Sequence, residues 1–171
     1  MFRPLATAAL AALIALPVGR TAPDFRTVGA SGGKPFRLHR ADQLRQGPVV
    51  LYFYPKAFTS GCTLEAHAFS EAMPEFRKAG ARVIGMSADA LPVLKKFSVE
   101  HCRSAFPVAT ASKAVIKAYD VGLPLVGMSN RTSYVIARDG RIVLVHSDMD
   151  WKDHVAKTLA AVRELERKPA V

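Results

Sequence analysis

The chain has 171 residues, a formal net charge of +10 at pH 7 and two cysteines. Its length fits one ordinary domain behind a short leader, because single domains most often contain about 100 to 150 residues. The basic residues are scattered, and no zinc-finger, helix-turn-helix or single-strand-binding signature occurs. The positive charge favours weak association with anionic surfaces. Because no such signature is present, the sequence gives no indication of a nucleic-acid-binding domain.

Residues 1–22 have the layout of a secretory signal peptide. Arg3 precedes an alanine- and leucine-rich stretch from Leu5 to Val18, and no acidic residue occurs before Asp24. The stretch is short for a membrane span, but the cleavage site is poor, so a retained N-terminal anchor is an alternative. We expect residues 23–171 to form the domain, in a periplasmic or secreted protein. A membrane-anchored protein facing the periplasm, or a cytoplasmic protein with a misassigned start, are the alternatives.

The predicted elements begin with a short strand at Arg37 to His39, after a turn at residues 32–35. The near-continuous apolar run from Val49 to Tyr54 indicates a strand buried on both faces and central in the sheet. A helix over Thr63 to Lys78 follows. The later predicted elements are a strand at Val83–Ser87, a helix at Val93–Cys102, a short helix at Lys113–Tyr119, strands at Thr132–Ala137 and Ile142–His146, and a helix at Trp151–Arg167.

The order of these elements predicts the sheet topology. Strands that alternate with helices in the first half of the chain imply parallel pairing. The sequence Arg138-Asp139-Gly140 between the last two strands is typical of a hairpin turn and implies an antiparallel pair. We therefore predict an α/β domain with a mixed central sheet flanked by helices.

Cys62 lies where the strand Val49–Tyr54 gives way, through a turn, to the predicted helix. We place it in the first helical turn, because the residues from Thr63 to Lys78 have helical spacing and no glycine. Unpaired backbone N–H groups and the positive end of the helix dipole favour the thiolate, which is the nucleophilic form. Cys62 is therefore interpreted as a reactive nucleophile, with a buried structural thiol as the alternative.

The segment from Phe53 to Glu65 contains the pattern P-x-x-x-T-x-x-C and resembles the active-site loop of the peroxiredoxins, most closely their bacterioferritin-comigratory (Q-type) branch. Further segments resemble the family in the same order, namely Ala22-Pro23-Asp24-Phe25, Lys95-Lys96-Phe97 with Phe106-Pro107, and Arg131 to Ile136 with Asp139-Gly140. The resemblance covers most of residues 22–165. It implies a thioredoxin-like fold.

The resemblance also implies roles for residues around the sulfur. Arg131 is expected beside the Cys62 thiolate, although the sequence alone is equally consistent with a surface arginine; a cation there favours the anion. Thr59 can place its hydroxyl beside the sulfur, or act as a turn or cap residue. Pro55 is expected to shape the loop and shield the thiolate, and Glu65 to complement the helix N-terminus or orient Arg131.

Once oxidised, Cys62 would be a sulfenic acid that a second thiol must resolve. The chain departs here from the Q-type pattern, because His67 and Ser98 stand where members of that branch carry the resolving cysteine. Cys102 would lie one helical turn beyond Ser98 and on a similar face. The alternatives are Cys102 as a displaced resolving thiol, an external thiol, and a structural disulfide between the two cysteines.

The function that the resemblance implies is a thiol-dependent peroxidase that reduces hydrogen peroxide and organic hydroperoxides. A thioredoxin-like or glutathione-type reductant is expected, with no cofactor, no metal ion and no nucleic-acid partner, in a monomer or weak dimer. A membrane partner is expected only if the leader is retained. The alternatives are a thiol-disulfide oxidoreductase of the same fold, in which Thr59 replaces the first cysteine of a Cys-x-x-Cys pair, and a non-catalytic basic binding domain.

Overall fold

The computed structural model describes residues 15–168, and within them it has seven strands and five α-helices. The strands are β1 (Arg26–Ser31), β2 (Lys34–His39), β3 (Val49–Phe53), β4 (Arg82–Ser87), β5 (Val108–Thr110), β6 (Thr132–Ile136) and β7 (Ile142–Ser147). The helices are α1 (Arg40–Gln43), α2 (Ser60–Lys78), α3 (Leu91–Glu100), α4 (Lys113–Ala118) and α5 (His154–Arg167), and a 3-10 turn at Leu44–Gln46 follows α1.

All seven strands belong to one mixed sheet with the order β2-β1-β5-β4-β3-β6-β7. The pairs β3–β4 and β4–β5 are parallel, whereas β1–β2, β1–β5, β3–β6 and β6–β7 are antiparallel. The predicted mixed sheet and the predicted hairpin between the last two strands are confirmed. Strand β3 is interior and every one of its residues is buried, as its continuous apolar run predicts.

The side chains of β3 divide the core into two layers, because successive residues of a strand point to opposite faces. Leu51 and Phe53 pack in one layer with residues of β6 and α4. Val50 and Tyr52 pack in the other with apolar residues of α2, α3 and α5. The carboxyl end of the interior strand β3, and the beginning of α2, therefore lie at one end of the strands of a sheet that is covered on both faces.

Some predicted bounds differ from the structure. Strands β1 and β5 were not predicted, because β1 has only two buried residues and β5 is too short for its spacing to be recognised. Helix α3 ends at Glu100, not at Cys102. Arg103 and Ser104 adopt φ values of 53° and 54°, which an α-helix does not contain. The prediction that Cys102 lies on this helix, one turn beyond Ser98, is therefore wrong.

The predicted signal peptide or anchor falls mainly on residues 1–14, which lie outside the described residues, and it stays a prediction. The chain is already packed on the domain from residue 15 onward. Ala15 is buried, the Leu16 amide donates to the Tyr134 hydroxyl at 3.0 Å, and the Gly19 amide donates to the Ile142 carbonyl at 2.9 Å. Among the helices of residues 15–168, none is long and apolar enough to span a membrane.

Candidate active site

Cys62 is the third residue of α2, and its side chain is 2% exposed. Its predicted place in the first helical turn is confirmed. The first hydrogen bond of the helix runs from the Thr63 amide to the Thr59 carbonyl at 2.9 Å. The amides of residues 60–62 therefore have no acceptor within the helix, and together with the helix dipole they favour an anion at this end.

The loop between β3 and α2 is attached to the neighbouring strand β4. The Tyr54 amide donates to the Met86 carbonyl at 3.0 Å, and the Ala57 amide donates to Asp89 Oδ2 at 2.8 Å. Ser87 donates its hydroxyl proton to the same carboxylate oxygen at 2.7 Å. Asp89 was not predicted as a site residue, because a single acidic residue after a strand has no distinctive pattern. Its carboxylate fixes the backbone that leads into Cys62.

Arg131 lies directly before β6, which pairs with β3, and this pairing carries its side chain to the cysteine. Arg131 is 4% exposed, and the Nη2 atom of its guanidinium group donates to Cys62 Sγ at 3.4 Å. Nη1 donates to Glu65 Oε2, and Nε donates to the Met149 carbonyl at 2.9 Å. A Cβ atom at Gly61 would lie 3.1 Å from Nη2, so the glycine leaves room for the guanidinium group. Each of the three guanidinium nitrogen atoms thus has its own acceptor, and these bonds fix Nη2 beside the buried sulfur.

Thr59 and Pro55 both belong to the loop that leads from β3 into α2. The Thr59 side chain is exposed and its hydroxyl donates to the Lys56 carbonyl at 2.8 Å. This bond makes Thr59 a turn residue, and the hydroxyl accepts no hydrogen bond as a helix cap. Pro55 is half-buried after the end of β3. The structure therefore places both residues in the loop, with Thr59 facing solvent beside the helix end.

Glu65 is completely buried one helical turn after Cys62. Burial raises the pKa of this carboxyl group to about 8, although the charge and the hydrogen bond of Arg131 act in the opposite direction. Burial would lower the pKa of Arg131, but the nearby Glu65 and Cys62 outweigh it and raise that pKa above its ordinary value. The guanidinium group is therefore a permanent cation shared between two acidic side chains.

His154, the first residue of α5, completes this cluster and was missed in the sequence. Its Nε2 atom must carry the proton, because it lies 2.8 Å from the Asp148 carbonyl, which can only accept. Its Nδ1 atom lies 2.8 Å from the Ser133 hydroxyl and 3.7 Å from Glu65 Oε1. Burial is the main reason why the pKa of His154 falls to about 4. The sequence has five dispersed histidines, and nothing near His154 distinguishes it from the others.

The pKa values of Glu65 and His154 predict opposite dependences of stability on pH. The Glu65 pKa is about 8 in the folded chain against an ordinary 4.5, so its stabilising contribution is lost as the pH rises towards 8. The His154 pKa is about 4 against an ordinary 6.5, so its contribution is lost as the pH falls below 6.5. Of these two groups, only Glu65 changes the stability between pH 6.5 and 8.

We expect Glu65 to lower the free energy of unfolding by up to about 1.4 kcal/mol per pH unit over that upper range. Glu65→Gln, which still offers an oxygen to Arg131, should remove this slope. Urea denaturation of both proteins at several pH values measures the difference. Parallel curves for the two proteins would show that Glu65 does not titrate there.

Cys102 lies in the turn after α3 and is completely buried. Its amide donates to the Phe97 carbonyl at 3.0 Å, and burial raises the pKa of its thiol well above the ordinary value. Both cysteines are free thiols and belong to the same apolar cluster, which also contains Tyr52 and Tyr54. The two cysteines thus lie in the same core layer and are not bonded to each other.

Known proteins with similar sequences agree with this geometry. Residues 18–145 match the model of the AhpC/TSA family. The chain belongs to the AhpC/TSA family. It is 32% identical over 150 residues to a chloroplastic peroxiredoxin Q from Sedum lineare, covering 86% of this chain and 78% of the relative. It is also 28% identical over 160 residues to the peroxiredoxin Bcp of Bacillus subtilis, covering 90% of this chain and 99% of the relative.

A solved structure of the same branch also matches this AhpC/TSA member. The crystal structure of the peroxidoxin BcpB from Mycobacterium tuberculosis superimposes with a TM-score of 0.75 and 34% sequence identity, covering 86% of this chain and 97% of that one. The predicted thioredoxin-like fold and the predicted Q-type branch are confirmed. The family match begins at residue 18. It therefore includes part of the segment that packs before residue 22.

Proposed function

We propose that this AhpC/TSA member is a thiol-dependent peroxidase that reduces hydrogen peroxide and organic hydroperoxides at Cys62. The thiolate attacks one oxygen of the peroxide, the O–O bond breaks, and the other oxygen leaves with a proton as water or alcohol. The observation that carries the proposal is the Arg131 guanidinium nitrogen 3.4 Å from the buried Cys62 sulfur at a helix N-terminus. A buried sulfur with a fixed cation beside it is suited to react as an anion.

The four residues predicted around Cys62 each have a proposed place in this reaction. Arg131 and the free amides of the first turn of α2 stabilise negative charge on the sulfur and on the oxygen that leaves. Thr59 presents its hydroxyl oxygen at the open side of the helix end, where a peroxide arrives, and its bond to Lys56 fixes the direction of its proton. Pro55 shapes the loop and shields the thiolate from water, and Glu65 orients Arg131.

We propose that an external thiol resolves the sulfenic acid. Cys102 is completely buried, and burial keeps its thiol protonated, so it is a poor nucleophile in the folded chain. It would have to leave the turn after α3, where its amide is bonded to Phe97. A thioredoxin-like protein or a glutathione-type thiol is the proposed donor, because either supplies a thiolate that can attack the Cys62 sulfenic acid.

Mass spectrometry of the protein after one equivalent of hydrogen peroxide, with no reductant present, tests this route. We expect Cys62 to gain one oxygen atom that a sulfenic-acid reagent can trap, and no loss of hydrogen. The matched variant Cys102→Ala should give the same product in the same yield. Loss of two hydrogens in the native protein, absent from the variant, would show instead that Cys102 is the resolving thiol.

A further inference from the structure

The Glu65 carboxyl group is held asymmetrically in the core. Oε2 accepts from Arg131, whereas Oε1 is buried and has no hydrogen-bond partner among residues 15–168. A buried carboxylate oxygen without a donor is costly, but a proton on that oxygen removes the cost if an acceptor is near. His154 Nδ1, 3.7 Å from Oε1, is such an acceptor because the ring proton is on Nε2.

We propose that His154 is a positioning residue that acts through Glu65, accepting the protonated edge of its carboxyl group so that Arg131 remains available to the Cys62 thiolate. The inference rests on the proposed peroxidase function, since it concerns the charge of the same sulfur. In this tautomer the Ser133 hydroxyl donates to Nδ1 at 2.8 Å, and because a hydroxyl rotates about its C–O bond, it can turn away and release the Nδ1 lone pair to a proton on Oε1. A movement of less than about 1 Å would bring Oε1 into hydrogen-bond range of Nδ1.

The physical reason is that one cation faces two groups that can both become anionic. If Cys62 and Glu65 ionise together, the buried cluster with Arg131 has a net negative charge, which burial disfavours. If Glu65 keeps its proton, the thiolate and the guanidinium group balance each other. His154 therefore favours the thiolate indirectly, by stabilising the protonated form of its competitor.

The same arrangement conserves charge through the reaction. The thiolate forms an S–O bond as the O–O bond breaks, the new sulfenic acid is neutral, and the leaving alkoxide takes up one proton. The neutral sulfenic acid no longer competes for Arg131, so Glu65 can ionise and release one proton. The proton released equals the proton consumed, and the buried cluster is neutral before and after the step.

The groups around Glu65 and His154 keep the His154 ring neutral. Its ring centroid is 4.4 Å from that of His146 on β7, and both His146 and Arg131 disfavour a positive charge on it. The charged or titratable groups that face these side chains are Asp148 beside His154, Lys157, Asp148 and Asp153 around His146, and Arg131 with Tyr52 around Glu65. A neutral ring with its proton on Nε2 stays an acceptor towards Oε1.

Two substitutions separate the two nitrogens of the ring. His154→Gln can still donate to the Asp148 carbonyl but lacks an acceptor at the Nδ1 position, whereas His154→Asn has the reverse properties. The readout is the rate of Cys62 alkylation by iodoacetamide against pH, in a Cys102→Ala background so that one thiol reacts. His146→Gln is the matched control, because it removes a neighbouring imidazole that does not face Glu65.

We expect His154→Gln to move the midpoint of the alkylation profile upward by about one pH unit, the equivalent of one hydrogen bond. His146→Gln should leave it unchanged, and His154→Asn should shift it less than His154→Gln does. In a Glu65→Gln background His154→Gln should cause no further shift, because the neutral amide has no proton to lose. An unshifted midpoint for His154→Gln, or an equal shift with and without Glu65, overturns the proposal.

A measurement on the native protein avoids dependence on variants that fold poorly. The carbon-13 resonance of the Glu65 carboxyl group, assigned by its disappearance in Glu65→Gln, should show a protonated group in the reduced protein at neutral pH. A carboxylate already ionised at about pH 6 would overturn the proposal. Neither readout uses peroxide turnover, so a chain that fails to reduce peroxide would refute the proposed function without deciding the role of His154.

Discussion

Cys62→Ser is expected to abolish peroxide reduction, leaving only the background rate. A serine hydroxyl is not ionised at neutral pH, so neither the helix end nor Arg131 can supply a nucleophilic anion there. The substitution removes little volume from a side chain that is 2% exposed, so the fold should persist. Peroxide consumption with a thiol reductant, measured beside near-ultraviolet circular dichroism, separates lost chemistry from lost structure.

Cys102→Ala is the matched control for that experiment. It removes the other buried thiol at a cost of about 1 kcal/mol in stability, because it leaves only a small cavity. Its rate of peroxide reduction should stay within about twofold of the native rate if an external thiol resolves the sulfenic acid. Full peroxidase activity in Cys62→Ser would refute the proposed nucleophile. Activity towards a protein disulfide such as insulin, without any towards peroxide, would favour the oxidoreductase alternative.

Arg131→Met should lower the rate constant for the reaction with hydrogen peroxide by about 10³-fold, and Arg131→Lys by about 10²-fold. The guanidinium group donates to Cys62 Sγ at 3.4 Å, to Glu65 and to the Met149 carbonyl at once. A lysine has a charge but cannot reproduce three fixed donor directions. Stopped-flow oxidation of the reduced protein measures both values.

Two controls make the Arg131 result interpretable. Arg131→Met leaves Glu65 buried without its cation, so the pair Arg131→Met with Glu65→Gln tests whether a slow reaction reflects lost chemistry or a damaged fold. Arg163→Met removes an exposed arginine that pairs with Glu75 at 2.7 Å and should not change the rate. A native rate in the Arg131 variants would exclude the cation from the reaction.

Local patterns predicted the part of the site that is continuous in the chain. The apolar run from Val49 to Tyr54 and the helical spacing after Cys62 placed the cysteine in the first turn of α2. Both signals act within a few residues, because periodicity reports which face of one element is buried. The helix that ends before Cys102 shows the limit, since two residues with positive φ end it where the spacing alone would continue.

Local patterns did not predict the contacts between distant segments. Arg131 was indicated by the resemblance to a family, and its spacing along the chain carried no such information. His154 and Asp89 were not identified, because nothing near either residue in the sequence distinguishes it from a surface polar residue. Their roles depend on pairing of β6 with β3 and on packing of α5 against the sheet. Such contacts form between elements, so no single element predicts them.

The sequence was enough to predict the strand, turn and helix that present Cys62, the mixed character of the sheet and the membership of a family. Each of these depends on short-range periodicity, turn chemistry or a continuous motif. Packing of the complete fold was needed to show that His154 joins Glu65, Arg131 and the sulfur in one buried cluster, and that Cys102 is completely buried. The cause is burial. Packing removes an ionisable group from water, brings it against its partners and so shifts its pKa, and packing is a property of the whole fold.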